Sequence, residues 1–353
     1  MTCEQLGTAK LMNDLFEETP AAQAWADSVI SSHSTGIFGE LVPAIIWTDV
    51  SDDDGNLLVP LDPSVLVAKI NSNPLSLLHN HDPGKPKGQT ILSASFETQD
   101  GKKFVAAILG YYAGGDVLSF QRMGVDINAI VQPPATLPVL PDSAWIEVGI
   151  DPREVDEAWL DLITGDAPIR IKRTELSHNA SESISELILI AVPILVIVWS
   201  PFSTTIAEEA AKDVYAGIKS WMRKLFERLS ERRNPILEIQ SMHDGCGISF
   251  LLRGKNINQH YAAHDAFSYA AVQAAQLVTN LKARGLPSKK LVYEFDKEAL
   301  KWFPSFAILN DDRIITDNTG LIAIEMLPKE LSLGISRGKL SPGVRPAPND
   351  DAQ

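Results

Sequence analysis

The sequence predicts an α+β protein, with a β-rich, mostly antiparallel and barrel-like N-terminal domain followed by a C-terminal α+β domain. Short apolar runs separated by glycine and proline turns fill residues 36–170, which is the pattern of antiparallel strands. From residue 208 onward, helical periods alternate with strand-like runs. A chain of 353 residues is long enough to bury two such cores.

The N-terminal half combines one long helix, one short helix and several strands. Apolar positions on a helical period predict a helix over residues 8–32. A second helix is predicted to begin at Asp62, which caps it, with Pro63 in the first turn. The predicted strands are residues 41–48, 56–59, 90–96, 104–109, 117–120 and 145–150.

The C-terminal half is predicted to hold a hairpin, an alanine-rich helix and two or three further strands. Two apolar runs flank the turn Asp244-Gly-Cys-Gly, which predicts the hairpin. The helix is predicted over residues 259–283, with Gly285 as its C-cap. The predicted domains are a helical segment 1–35, a β-rich domain 36–170, a linker with an apolar segment 171–207, an α+β domain 208–335 and a disordered tail 336–353.

The apolar segment at residues 187–207 carries no charged side chain. Its length exceeds the ~18 residues that a membrane-spanning helix needs. Pro193 and Pro201 interrupt it, however, and its β-branched residues also suit a buried strand. Both interpretations stay open, so the expected location is cytoplasmic, with membrane association through Leu187–Ala207 as the alternative.

Composition narrows the classes of partner. A formal charge of −14 argues against nucleic acid, because phosphate binding needs a basic surface. Cys3 and Cys246 lie far apart in sequence, which argues against a disulfide framework or a structural zinc site and fits a reducing cytoplasm. The N-terminus lacks the pattern of a signal peptide. We expect no cofactor and no bound metal; a homo-oligomer stays open.

The segment richest in chemistry is residues 73–89, where an apolar run ends in LLHNHDPG. It places His79 and His81 at the end of a predicted strand, beside a glycine and proline turn. Imidazole is the side chain best suited to moving protons near neutral pH. We therefore expect a functional histidine here, and prefer His81 because Asp82 and Pro83 follow it directly.

This segment and two later ones resemble the phage prohead (capsid-maturation) serine proteases, which are related in fold to the herpesvirus assemblins. The resemblance covers about residues 38–160 and rests on three stretches: LLHNHDP at 77–83, DVLSF at 116–120 and WIEVGIDP at 145–152. It implies a hydrolase that cleaves a partner protein or its own chain. Ser119 would be the nucleophile, His81 the base and Glu147 the residue that orients the base.

Triad chemistry explains why these residue types are needed. Serine is a poor nucleophile until a base takes its proton, and a carboxylate then holds the imidazole in the required tautomer. His79 lies on the same strand face as His81 and could substitute for it. Asp82, beside a proline, is expected to serve turn chemistry rather than catalysis.

Other interpretations compete with the peptidase. Ser119 is followed by Phe120 where the family has small residues, and Gly149 stands where the family often has serine. These departures leave open the alternative of a catalytically degenerate scaffold that acts as an interaction or sensing module, with phage defence as one natural use. A zinc hydrolase built on His79 and His81 lacks an acidic third ligand at a suitable spacing. The pair His260 and His264 is expected to be surface or packing residues.

Overall fold

The computed structural model describes residues 15–33, 37–50, 57, 62–72, 74–79, 82–112, 117–125, 136–137, 144–176, 186–192, 205–206 and 209–318. The helices and strands are, in chain order, α1 (Pro20–His33), β1 (Phe38–Thr48), α2 (Pro63–Ser72), β2 (Ser76–His79), β3 (Asp82–Glu97), β4 (Lys103–Tyr112), β5 (Thr136–Leu137), β6 (Trp145–Ile150), α3 (Glu157–Thr164), β7 (Arg170–Glu175), β8 (Glu186–Ala191), β9 (Thr205–Ile206), α4 (Glu209–Arg228), β10 (Pro235–His243), β11 (Cys246–Arg253), α5 (Ile257–Ala283), β12 (Ser288–Asp296), β13 (Lys301–Leu309) and β14 (Ile314–Ile315).

The predicted α+β class is confirmed, with a β-rich N-terminal part. The chain divides into two compact units: residues 1–77, 88–113 and 324–353 form the first, and residues 78–87 and 114–323 form the second. Each unit has its own sheet, and the N-terminal sheet is antiparallel in its assigned pairs.

The first unit is built on a four-stranded sheet of order β1-β4-β3-β2. β4 pairs with β1 and β3, and α1 packs on this sheet through Ala22, Ala26 and Val29. Asn71 at the end of α2 exchanges hydrogen bonds with the backbone of Ser93 in β3, at 3.0 and 2.8 Å. No β1–β2 pairing is found among the described strands, so the expected barrel-like closure stays a prediction.

The second unit is built on a mixed eight-stranded sheet of order β14-β13-β12-β11-β10-β8-β6-β7. β10 and β11 form the predicted antiparallel hairpin around residues 244–245. Three helices make the connections between parallel neighbours: α3 joins β6 to β7, α4 lies between β8 and β10, and α5 joins β11 to β12. Parallel strands need such crossovers, because a tight turn can join only antiparallel ones.

The three helices pack on one face of this sheet. Alternate strand residues such as Ile188, Leu237 and Phe250 share a single core cluster with Trp221 of α4 and Phe267 of α5. Side chains alternate between the faces of a strand, so the residues between these core positions belong to the opposite face. We call this second face the helix-free face, because none of α3, α4 and α5 packs on it; it includes Glu147, Gln240, Glu238, Ser249 and Glu294.

Several local predictions are confirmed. Asp62 caps α2, its carboxylate accepting hydrogen bonds from the backbone of Ser64 at 2.8 Å and Val65 at 3.1 Å. Gly285 has φ +75° and ends α5, and its amide donates to the Lys282 carbonyl. His260 and His264 are buried packing residues.

Two local expectations differ from the structure. The strand predicted at residues 117–120 is reduced to a single bridge between Leu118 and Ile315, followed by a turn. The strand β6, which the sequence groups with the N-terminal domain, belongs to the sheet of the second unit, as does β7, which lies almost entirely in the predicted linker 171–207. The reason is that β6 pairs with β8, and β8 pairs with β10.

The apolar segment begins as a strand. β8 lies between β10 and β6, and its Ile188 and Ile190 are fully buried. Residues 193–204, the tail 336–353 and the first residues of the predicted N-terminal helix lie outside the described residues. Among the helices that are described, none combines the length and the apolar character needed to cross a membrane.

Candidate functional site

The histidine segment lies at the junction of two strands. β2 ends at His79, whose side chain is exposed, and β3 begins at Asp82. The expectation that a strand ends at this motif is therefore confirmed. Asn80 and His81 lie outside the described residues, and the role of His81 as a base stays a prediction.

Asp82 is a buried anchor. Its side chain accepts two hydrogen bonds from the Arg253 guanidinium, at 2.7 and 2.6 Å, and the same guanidinium reaches Glu294 at 3.1 Å. Only 6% of Asp82 is exposed. A carboxylate taken out of water needs such a partner, because an unpaired buried charge is strongly destabilising. We call Asp82, Arg253 and Glu294 the Arg253 cluster.

Gly84 fits over this cluster because it has no side chain. A Cβ atom at this position would lie 2.1 Å from Glu294 Oε1 and 2.4 Å from Arg253 Nη2. The Gly84 amide donates to Asp82 Oδ1 at 3.0 Å, which makes the turn that the Asp-Pro pair predicted. The sequence analysis did not single out Arg253, Glu294 or Gly84. Of the three, Gly84 could have been predicted, because it follows an Asp-Pro pair that is typical of a turn.

Ser119 lies in the turn after Leu118. The backbone of Leu118 is bonded to that of β14 and Thr316, and this contact brings Asp317 to the turn. The Ser119 hydroxyl donates to Asp317 Oδ1 at 2.5 Å and accepts from the Arg122 amide at 3.0 Å. The hydroxyl therefore caps the turn 120–124, a common structural role of serine.

Glu147 lies on the helix-free face of β6. Its carboxylate accepts from the Thr174 hydroxyl at 2.6 Å and from Lys172 Nζ at 3.4 Å, both on the neighbouring strand β7. Lys172 also lies 5.1 Å from the centre of the Trp145 ring. Cross-strand pairs of this kind stabilise a sheet.

Within the described residues, no hydrogen bond or ion pair joins Ser119 to Glu147, or either of them to His79. The carboxylate that Ser119 contacts is Asp317, which sequence reasoning missed. The two residues are 198 positions apart, and nothing in the local sequence connects them. The assignment of Ser119 and Glu147 to a triad stays a prediction.

A second buried carboxylate lies on the helix-free face. Glu238 of β10 is 4% exposed, and its Oε1 accepts from Ser249 Oγ at 2.8 Å and Gln240 Nε2 at 2.9 Å. Strand register places it in one row with Leu251 and Glu294. In the sequence, the one feature that marks Glu238 is that a glutamate stands inside an apolar strand.

Metal binding and thiol chemistry find little support in the described residues. No group of three His, Cys, Asp or Glu side chains suited to a metal ion occurs among them. Burial raises the pKa of the Cys246 thiol to about 11, although the Ser288 hydroxyl opposes the shift. Since the thiolate is the reactive form, this cysteine is an inert packing residue.

The fold and these residues define an α+β protein whose larger unit is a mixed sheet with helices on one face and buried carboxylates on the other. No family model, curated protein or solved structure matches the chain. Function is therefore argued from the geometry alone.

Proposed function

We propose that the chain is an interaction or sensing module built on a peptidase-like motif, and that it forms no acyl-enzyme. The observation that carries this proposal is the hydrogen bond from the Ser119 hydroxyl to Asp317, at 2.5 Å. A serine nucleophile needs a base that accepts its proton during attack. Near neutral pH a carboxylate is a weaker base than imidazole, so this contact holds the hydroxyl in place without activating it.

The surroundings of the other motif residues support the same proposal. The Asp82 carboxylate accepts hydrogen bonds from the Arg253 guanidinium and from the backbone amide of Gly84 in the turn. Glu147 is engaged by Lys172 and Thr174. Each group thus has a structural partner that accounts for its presence. The partner of such a module would be another protein or peptide, since the charge of −14 disfavours nucleic acid.

Labelling with a fluorophosphonate probe tests this proposal. The purified wild type and the variants Ser119→Ala, His81→Ala and Asp317→Asn are treated with the probe, beside an active serine hydrolase as positive control. We expect no covalent labelling of any of the four proteins. Labelling of the wild type that both Ser119→Ala and His81→Ala abolish would overturn the proposal and establish an activated serine.

A serine endopeptidase is the competing proposal, with Ser119 as nucleophile, His81 as base and Glu147 as the orienting residue. The observation that favours it is position: His81 falls in the two-residue connection between His79 at the end of β2 and Asp82 at the start of β3. Its substrate would be a partner protein or the chain itself. The same labelling experiment separates the two proposals.

We place the module in the cytoplasm. Cys246 is a free, buried thiol, and this supports a reducing compartment. Cell fractionation without detergent tests the location, and recovery of the protein with membranes would argue for association through residues 187–207.

A further inference from the structure

Two histidines one turn apart on α5 face α4 in the core of the second unit. His260 is fully buried and His264 is 6% exposed. Both rings contact backbone carbonyls of α4, His260 at Phe226 and His264 at Lys219. Imidazole is the side chain whose unperturbed pKa lies closest to neutral pH. The groups around a buried imidazole therefore determine how its protonation affects the fold.

The His260 ring lies between two hydrogen-bond acceptors. Its Nδ1 is 2.9 Å from the carbonyl oxygen of Phe226, and its Nε2 is 2.7 Å from the carbonyl oxygen of Gly254. A carbonyl oxygen only accepts hydrogen bonds. A neutral imidazole has a single N–H to donate, whereas the imidazolium has two.

We propose that His260 is a proton-dependent tie between α4, α5 and the turn after β11: the protonated ring binds both carbonyls, and the neutral ring releases one of them. The Phe226 carbonyl lies in the last turn of α4, where the helix dipole favours a cation. The Gly254 amide donates to the Pro235 carbonyl, so the second contact extends the tie to the start of β10.

The charged groups around the ring are compatible with a reversible proton. Lys297, in the turn between β12 and β13, disfavours the charged ring. On α4, Arg223 lies 3.8 Å from Asp265, and Arg228 is bonded to Glu231. His264 on the same face of α5 contacts the Asp265 carboxylate at 3.3 Å. No carboxylate contacts the His260 ring among the described residues, so the ring is not permanently charged by an acid partner.

Burial lowers the pKa of His260 below its usual value, and the bonds to Gly254 and Phe226 oppose that shift. The unfolded chain therefore takes up the proton at a higher pH than the folded chain does. Protonation therefore adds a hydrogen bond, but burying the charge costs more free energy than that bond returns. The contribution of His260 to stability is present above the unfolded pKa. It is lost as the pH falls through that value toward the folded pKa.

The test uses the full chain as wild type and His260→Gln. Glutamine keeps a donor group and an acceptor group but takes up no proton in this range. Urea unfolding at pH 7.5 and 5.5 gives the loss of stability on acidification. We expect this loss to be smaller in His260→Gln than in the wild type. An equal or larger loss in His260→Gln would overturn the proposal.

Nuclear magnetic resonance of the wild type labelled with ¹⁵N at histidine gives an independent readout that does not depend on a variant folding. We expect the His260 ring to titrate below the usual histidine pKa while the chain stays folded, and both ring N–H protons to exchange slowly with water at the acidic end, as two hydrogen-bonded donors require. A ring that stays in one neutral tautomer throughout, or an imidazolium with only one N–H protected from exchange, contradicts the tie. This inference is independent of the proposed function.

Discussion

Asp62, Asp82 and Asp151 each precede a proline, and each carboxylate accepts the backbone amide two residues further on. The distances are 2.8 Å to Ser64, 3.0 Å to Gly84 and 2.9 Å to Arg153. Proline fixes the backbone while the short carboxylate closes the turn, so the pair is a local device that the sequence alone predicts. Asp82 has in addition the distant partner Arg253.

The substitution Gly84→Ala tests how closely the turn fits the Arg253 cluster. The added methyl group would overlap Glu294 and Arg253, so their side chains would have to move and hydrogen bonds to Asp82 would be lost. We expect a loss of at most about 1.5–3 kcal/mol in the free energy of unfolding, the range for one hydrogen bond to a charged group, because the side chains that must move are flexible at their ends. Urea unfolding measures it.

Gly247→Ala is the matched control, because a Cβ atom there would meet its nearest neighbour at 3.6 Å, an ordinary contact distance. Equal stability of Gly84→Ala and Gly247→Ala would show that the close fit at Gly84 has no energetic consequence.

At the level of elements, the helices of the second unit are defined at their ends by short-range hydrogen bonds. Asp156 caps α3, and its bond from the Trp159 amide lowers the pKa of the carboxyl. Asn256 caps α5 by accepting from the amides of Asn258 and Gln259, at 3.0 and 3.4 Å. The first turn of α5 also carries His260, so this cap and the proton-dependent tie act on the same helix end.

Asn256→Ala is expected to lower the free energy of unfolding by about 1 kcal/mol, because two amides of the first turn lose their acceptor. Asn256→Ser, which keeps a capping oxygen, should cost only a small part of this. Thermal or urea unfolding of both variants checks the difference. Identical losses in the two variants would mean that the cap is not what stabilises this helix end.

At the scale of the whole molecule, the second unit depends on one continuous core between its helices and its sheet. Phe250, near the middle of β11, is fully buried. Its ring centre lies 4.9 Å from that of Phe267, 5.5 Å from Tyr293 and 5.7 Å from Trp302. This cluster joins α5 to three adjacent strands, so it holds the two layers together.

Phe250→Ala is expected to cost about 3–5 kcal/mol, the usual range for removal of a buried aromatic ring. Tyr269→Ala on α5, where the side chain is 47% exposed, should change stability far less. Urea unfolding followed by tryptophan fluorescence compares them. A loss at Phe250 no larger than the loss at Tyr269 would argue that this core does not control the stability of the unit.

The sequence by itself determined the local structure of the chain. Apolar periodicity predicted β1, and turn residues predicted the cap of α2 at Asp62, the hairpin around residues 244–245 and the end of α5 at Gly285. The cap, the hairpin turn and the helix end depend on hydrogen bonds between near neighbours. Only the tertiary structure decided which distant groups meet. It paired Ser119 with Asp317, Asp82 with Arg253 and β6 with β8. Strand order sets these long-range contacts, and strand order is a property of the whole sheet that no local pattern encodes.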